Sequence, residues 1–313
     1  MSLPDQKAAA YLFAGQGSQY VGMGKDLYDS FPESKSVFER ADKVLGFSIS
    51  KLCFEGPKEE LTRTDNSQPA IFTVTMAAFE AFRSRMGQRF EAPKYVAGLS
   101  LGEYSALAVA GAISFEDAVY LLRKRGEFME EESAKRPGRM LSVIGLDLAK
   151  VRELCARTNT EVANINCPGQ IVISGGASQI ESAQSSAKEA GAKMAVFLEV
   201  SGAFHSSFMQ GAAEKLAKEL DKIRINAPEI PVIANVSAKP ATSAQEVREN
   251  LVKQVASSVL WEDSMRFILS RGVADFIEFG PGKVLKGLMR RIDANVRVLT
   301  AEKKEDLANI SGG

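Results

Sequence analysis

The sequence predicts an α/β fold in which a parallel sheet, covered by helices on its faces, is interrupted by a smaller ferredoxin-like unit. Two observations predict it: strand-like and helix-like segments alternate along most of the chain, and between about 135 and 200 their order changes to βαββαβ. In order, 9–14 reads as a short buried strand and the amphipathic stretch 25–44 as a helix. Pro69 then opens a long helix from the first position, where its missing N–H is harmless. An apolar strand at 94–99 leads into a small-residue helix at 101–110 and a further helix at 115–132. The interruption follows as strand 140–146, helix 147–157, strands 160–166 and 170–176, helix 177–192 and strand 193–200. Helix 209–223, strand 231–237, helix 244–258 and strand 275–280 resume the larger pattern, and 309–313 are expected to fray. The expected division is 1–132 with 201–313 as the larger subdomain and 133–200 as the smaller.

At 313 residues, 45% hydrophobic and 25% charged, the chain can bury a full core. Lys and Arg number 39 against 39 Asp and Glu, so no net charge is available to hold a polyanion, and neither nucleic acid nor an anionic membrane is an expected partner. The most apolar window, 95–113, carries Glu103 near its middle, which marks a buried segment and not a membrane span. The first residues lack a basic stretch followed by an apolar one, so no secretory signal is expected. The expected compartment is the cytoplasm, or a plastid or mitochondrial matrix if a targeting segment has been removed. Cys53, Cys155 and Cys167 form no C-x-x-C pair and read as packing residues. The single histidine, His205, cannot build a histidine metal site alone, and its default reading is structural.

Gly98-Leu99-Ser100-Leu101-Gly102 is a G-x-S-x-G set between a strand and a helix, the context that a nucleophile elbow requires. Ser100 would then stand at a helix N-terminus with the Leu101 amide able to face an oxyanion. A plain Gly-Ser turn remains the alternative. The Gly15-Gln16-Gly17-Ser18-Gln19 loop lacks the last glycine of a dinucleotide fingerprint, and Gly280-Pro281-Gly282-Lys283 is no P-loop because Ile277 stands at the first glycine position. Nucleotide binding falls away, leaving a loop of main-chain amides beside the elbow.

Taken together, these segments resemble the malonyl-CoA:acyl-carrier-protein transacylases and the acyltransferase domains of polyketide synthases. The resemblance runs over nearly the whole chain through Gly15–Gln19, Gln68-Pro69-Ala70, Gly98–Leu107, Arg125-Gly126 with Met129, Asn166–Gln170, Gly202–His205, Gln254 with Trp261, and Gly280–Lys283. It implies a hydrolase-like larger subdomain with a ferredoxin-like insertion. Ser100 matches the acylated nucleophile, His205 its base, and Gln254 the residue whose main-chain carbonyl orients the imidazole. Gln16 and Leu101 match the oxyanion donors. Arg125 matches the residue that holds the malonyl carboxylate, although the run Arg123-Lys124-Arg125 by itself reads as an exposed helix face. Gln68, Asn166 and Gln170 are expected either to support the pocket or to serve packing and turns. Leu99 replaces the histidine that many members carry before the serine, and Phe204 is the residue type that accompanies malonyl over methylmalonyl.

The expected function is transfer of malonyl from malonyl-CoA to the phosphopantetheine thiol of acyl carrier protein through a malonyl-serine, for fatty-acid synthesis, by a monomer needing no cofactor and no metal. A thioesterase-like hydrolase, a polyketide-pathway acyltransferase and a non-catalytic carrier-docking module are the other readings. Lys283, Lys286, Arg290 and Arg291 form a cationic run that suits an acidic carrier protein or, equally, a solvated helix face.

Overall fold

The computed structural model describes residues 5–311. Ten strands form two sheets: β1 Ala10–Phe13, β2 Tyr95–Gly98, β3 Gly138–Ile144, β4 Glu161–Cys167, β5 Gln170–Gly176, β6 Met194–Phe197, β7 Val232–Ile233, β8 Pro240–Ala241, β9 Asp275–Phe279 and β10 Arg297–Ala301. The larger sheet has the order β10-β9-β1-β2-β7-β8 and is parallel except for the β7–β8 pair. Its centre is buried on both faces: Tyr11 and Phe13 of β1 enter the core under the helix Thr64–Met86, while Ala10 and Leu12 enter the core under Trp261–Ser270 and Val284–Ile292. That alternation is the two-residue period of a strand, with helices covering each side. Leu285, Leu288, Met289 and Ile292 secure the last of these helices, each burial contributing about 1.5–3 kcal/mol.

The smaller sheet, of order β4-β5-β3-β6, is antiparallel throughout, with the helices Leu148–Thr158 and Ala177–Glu189 on one face. This is the ferredoxin-like arrangement that the βαββαβ order predicts. All its strands lie between 138 and 197. The α/β class, with a parallel sheet and an inserted antiparallel one, is as expected.

Several elements differ from the sequence reading. The helix expected at 25–44 is two helices, Lys25–Ser30 and Pro32–Leu45, because Phe31 takes the extended conformation imposed on a residue before proline. The long helix begins at Thr64 and not at Pro69. Pro69 cannot donate to the Asp65 carbonyl, and Arg123 Nη1 does so instead at 2.9 Å, which lets the helix pass through the proline. The strand expected at 231–237 shrinks to two residues, because Asn235 turns toward the serine elbow and Ala238 takes a left-handed φ of 53°. Asn309–Ser311 end the helix Lys304–Ser311 instead of fraying, anchored by buried Ile310; 312–313 lie outside the described residues.

Candidate active site

Three parallel strands end at one level, since Phe13 of β1 pairs with both Gly98 of β2 and Phe279 of β9. The loops after them, 14–19, 99–101 and 280–283, therefore emerge together at the carboxyl edge of the sheet, where open α/β sheets place their sites. Between β2 and the helix Gly102–Val109, Ser100 is held at φ 52°, a left-handed conformation costly for any residue with a Cβ. Asn235 secures it: its Oδ1 accepts from the Ser100 N–H at 2.7 Å and its Nδ2 donates to the Gly98 carbonyl at 2.8 Å. The flanking glycines are obligatory. A Cβ on Gly98 would lie 2.0 Å from the Gly102 carbonyl, and one on Gly102 would lie 2.3 Å from the Phe13 oxygen.

Ser100 Oγ donates to His205 Nε2 at 2.8 Å, and His205 Nδ1–H donates to the Gln254 main-chain oxygen at 2.8 Å. A carbonyl can only accept, so it fixes the tautomer and leaves the Nε2 lone pair facing the hydroxyl. Burial, aided by the nearby Arg125 charge and only partly opposed by the Gln254 carbonyl, lowers the imidazole pKa to about 4. His205 is therefore neutral and able to take a proton at ordinary pH.

Arg125, on the helix Phe115–Lys135, is 1% exposed and not the solvent-facing charge suggested by its run of neighbours. Arg123 pairs with Asp65 and Glu127, and Lys124 with Glu127; at about 100° per residue the next side chain turns inward. Its Nη1 donates to Gln68 Oε1 at 2.6 Å, and its Nη2 to Gln254 Oε1 at 3.0 Å and Ser100 Oγ at 3.1 Å. Nε, on the same edge of the guanidinium as Nη2, is buried without a partner. Desolvation lowers the Arg125 pKa, yet a guanidinium keeps its charge.

Above the serine lies a cavity of about 220 Å³ between the two sheets. Gln16, Leu99, Ser100, Phe204 and His205 line one side, and Asn164, Asn166 and Gln170 of the smaller sheet line the other. Asn166 Oδ1 is buried without a partner, whereas Gln170 Oε1 is taken by Arg291 Nη1 at 2.7 Å. Arg291 also donates to the Pro168 carbonyl, so it ties helix Val284–Ile292 to the small sheet and is not part of a free cationic run. Val284 and Leu288 of that helix reach the cavity, which puts the Gly280–Lys283 loop at its rim. Leu101, Gln68, Arg125 and Gln254 lie outside the lining and surround the serine from below. Among the described residues, no hydrogen bond occupies the main-chain amides of Gln16 and Leu101. A larger cleft of about 580 Å³ bounded by Phe47, Arg63 and Arg123 is lined by no histidine or cysteine.

Sequence reasoning missed Asn235 and read Glu103 only as a buried residue of an apolar window. Glu103 is 2% exposed and accepts from the Asn235 N–H and Gln254 Nε2; burial raises its pKa to about 7. An acid in an apolar helix was a visible signal for Glu103, whereas Asn235 offered none. Cys53, Cys155 and Cys167 are buried free thiols. Among the described residues no helix is long and apolar enough to cross a membrane.

The acyl transferase domain family matches residues 10–299. The malonyl CoA-acyl carrier protein transacylase of Bacillus subtilis (strain 168) is 46% identical over 303 residues, covering 95% of this chain and 94% of that protein. The Escherichia coli (strain K12) protein of the same name is 43% identical over 296 residues, covering 93% and 94%. Among solved structures, the acyl-carrier-protein-S-malonyltransferase from Bartonella henselae superposes with a TM-score of 0.93 at 41% identity, covering 97% of this chain and 99% of that one. A malonyl-transacylase in complex with a type II polyketide acyl-carrier protein superposes with a TM-score of 0.93 at 38% identity, covering 97% and 98%.

Proposed function

The chain belongs to the acyl transferase domain family, and from that premise we propose that it moves a malonyl group from malonyl-CoA to the phosphopantetheine thiol of an acyl carrier protein through a malonyl ester on Ser100. The observation that carries this reading is the meeting of two groups at one atom: Ser100 Oγ is 2.8 Å from the His205 base and 3.1 Å from the buried Arg125 cation. An acyl group on that oxygen would have its far carboxylate within reach of a guanidinium edge whose Nε–H has no partner. An unpaired carboxylate would pay the desolvation cost that this cation removes.

In the first half-reaction Ser100 Oγ attacks the thioester carbonyl as His205 Nε2 takes its proton. The amides of Gln16 and Leu101 receive the oxyanion, the carbon–sulfur bond breaks, and His205 returns the proton to the departing CoA sulfur. The second half-reaction is the reverse with the carrier thiol. A carbonyl behind the imidazole stabilises its cation less than a carboxylate would. A thiolate leaves far more readily than an amine, so a weakly basic histidine suffices.

A hydrolase for uncharged acyl chains has no use for Arg125, which favours transfer of an acidic acyl group. Phe204, Asn166 and Gln170 line the cavity into which the acyl group would extend, and the setting we propose is fatty-acid synthesis by a cytoplasmic monomer. Intact-mass measurement after mixing with malonyl-CoA, acetyl-CoA and methylmalonyl-CoA separately tests the reading. A malonyl adduct that Ser100→Ala abolishes is expected, and an adduct that survives the substitution refutes it.

A further inference from the structure

Glu103 lies on the first turn of the helix Gly102–Val109, and one of its oxygens does two things. Oε2 accepts from the Asn235 main-chain N–H at 3.0 Å and from Gln254 Nε2 at 2.7 Å. Both partners reach back to the serine. Asn235 holds the Ser100 amide and the Gly98 carbonyl. Gln254 donates to the Ser100 carbonyl through Nε2 at 3.0 Å and accepts from Arg125 Nη2 through Oε1 at 3.0 Å.

A side-chain amide can turn over with almost no change of shape, exchanging donor for acceptor. Turned over, Gln254 would set an NH2 group against Arg125 Nη2, donor against donor, and the guanidinium would lose one of the two side-chain amide contacts, from Gln68 and Gln254, that set its plane. Two accepting oxygens placed opposite Nε2 prevent this, Glu103 Oε2 at 2.7 Å and the Ser100 carbonyl at 3.0 Å, and the carboxyl oxygen is the nearer. No step of the acyl transfer above touches Glu103, yet the chain bears the cost of burying its carboxyl beside the reacting groups.

We infer that Glu103 is a positioning residue for acyl selection: its Oε2, together with the Ser100 carbonyl, fixes the polarity of the Gln254 amide and, through it, the aim of Arg125 at the acyl carboxylate. This rests on the malonyl transfer proposed above. It separates Glu103 from a general packing role, because a packing defect would slow all acyl donors alike, whereas a misdirected Arg125 penalises the donor that carries a carboxylate.

The experiment measures Ser100 acylation by malonyl-CoA and by acetyl-CoA in the full chain, with thermal unfolding followed in parallel. Glu103→Met, similar in length but without an acceptor, is expected to lower the malonyl-to-acetyl ratio of kcat/KM by roughly ten- to a hundredfold, the scale of losing a hydrogen bond to a charged group. Glu103→Gln can keep a carbonyl oxygen at the Oε2 position and is expected to recover most of the ratio. Gln254→Met leaves the main-chain carbonyl for His205 and should show the same loss of ratio, with Glu103→Met adding nothing further in the double variant. A folded Glu103→Met protein with the wild-type ratio, a Glu103→Gln protein as impaired as Glu103→Met, or losses that multiply in the double variant would each overturn the inference. If Glu103→Met does not fold, an unchanged ratio in Gln254→Met overturns it equally. Absence of a malonyl-Ser100 adduct in the wild-type protein refutes the proposed function instead, and is read from the same spectra.

Discussion

Replacing Arg125 by alanine should convert a malonyl-selective site into an unselective one. The guanidinium has five donors; Gln68 takes one and Gln254 another, and of the three that remain, Nε–H and the Nη2 hydrogen now directed at Ser100 Oγ can meet a carboxylate. Two charge-assisted bonds at about 1.5–3 kcal/mol each total about 3–6 kcal/mol, or on the order of 10²–10⁴ in kcat/KM for malonyl-CoA. The substitution also leaves Gln68 Oε1 and Gln254 Oε1 without their donor, a penalty that falls on every substrate alike. The malonyl-to-acetyl ratio therefore isolates the carboxylate contact. Quenched-flow acylation read by intact mass, with both thioesters, supplies it. Arg125→Lys should restore only part of the ratio, because an ammonium cannot make the paired planar contact. Equal losses for malonyl and acetyl in a folded Arg125→Ala protein would make Arg125 structural and remove the main support for malonyl selection.

Three further outcomes are expected. His205→Ala should slow formation of the acyl-enzyme by at least ~10²-fold, measured by the same quenched mass spectrometry, and near-normal acylation would sink the assigned base. Because burial holds the folded His205 pKa down to about 4, the base stays neutral as pH falls, and the acid limb of kcat/KM due to its protonation should lie near pH 4; a limb near 6.5 would contradict the burial argument. The same shift makes the unfolded chain the better proton binder between about pH 4 and 6.5, so the contribution of His205 to stability is present above that window and is lost as pH falls through it. Lys283, Lys286 and Arg290 remain of the cationic run once Arg291 is committed to Gln170; reversing the charges of Lys286 and Arg290 should raise KM for the carrier protein and leave KM for malonyl-CoA unchanged, and equal effects on both would make them a solvated face.

How much was legible in the sequence follows from how local each signal is. The elbow could be read because a tight strand-to-helix turn demands glycines at fixed offsets, and Gly98 and Gly102 indeed meet main chain at 2.0 and 2.3 Å. The small unit could be read from its element order alone. Strand β10 and the helix Trp261–Ser270 give no sequence signal as sharp as the elbow, and the cationic run over 283–291 masks the apolar stripe of the helix Val284–Ile292. The break at Phe31-Pro32 followed from a rule about the residue before proline that the amphipathic pattern over 25–44 obscured. The start at Thr64 did not, since it depends on Arg123 donating to a carbonyl 58 positions away. Asn235 was invisible for the same reason: its partner Ser100 lies 135 positions earlier. Arg125 lay between these cases, because a charge run conceals which residue faces inward until the helix phase is known.

The central claim is that Ser100 holds a malonyl group in passage between two thiols. It is tested most directly by isolating the malonylated protein free of CoA and mixing it with acyl carrier protein, with and without its phosphopantetheine arm, while the masses of both proteins are followed. The account predicts that the malonyl mass leaves Ser100 and appears on the carrier only when the arm is present. Loss of the malonyl group as free malonate at the same rate with either carrier would contradict it and identify a hydrolase.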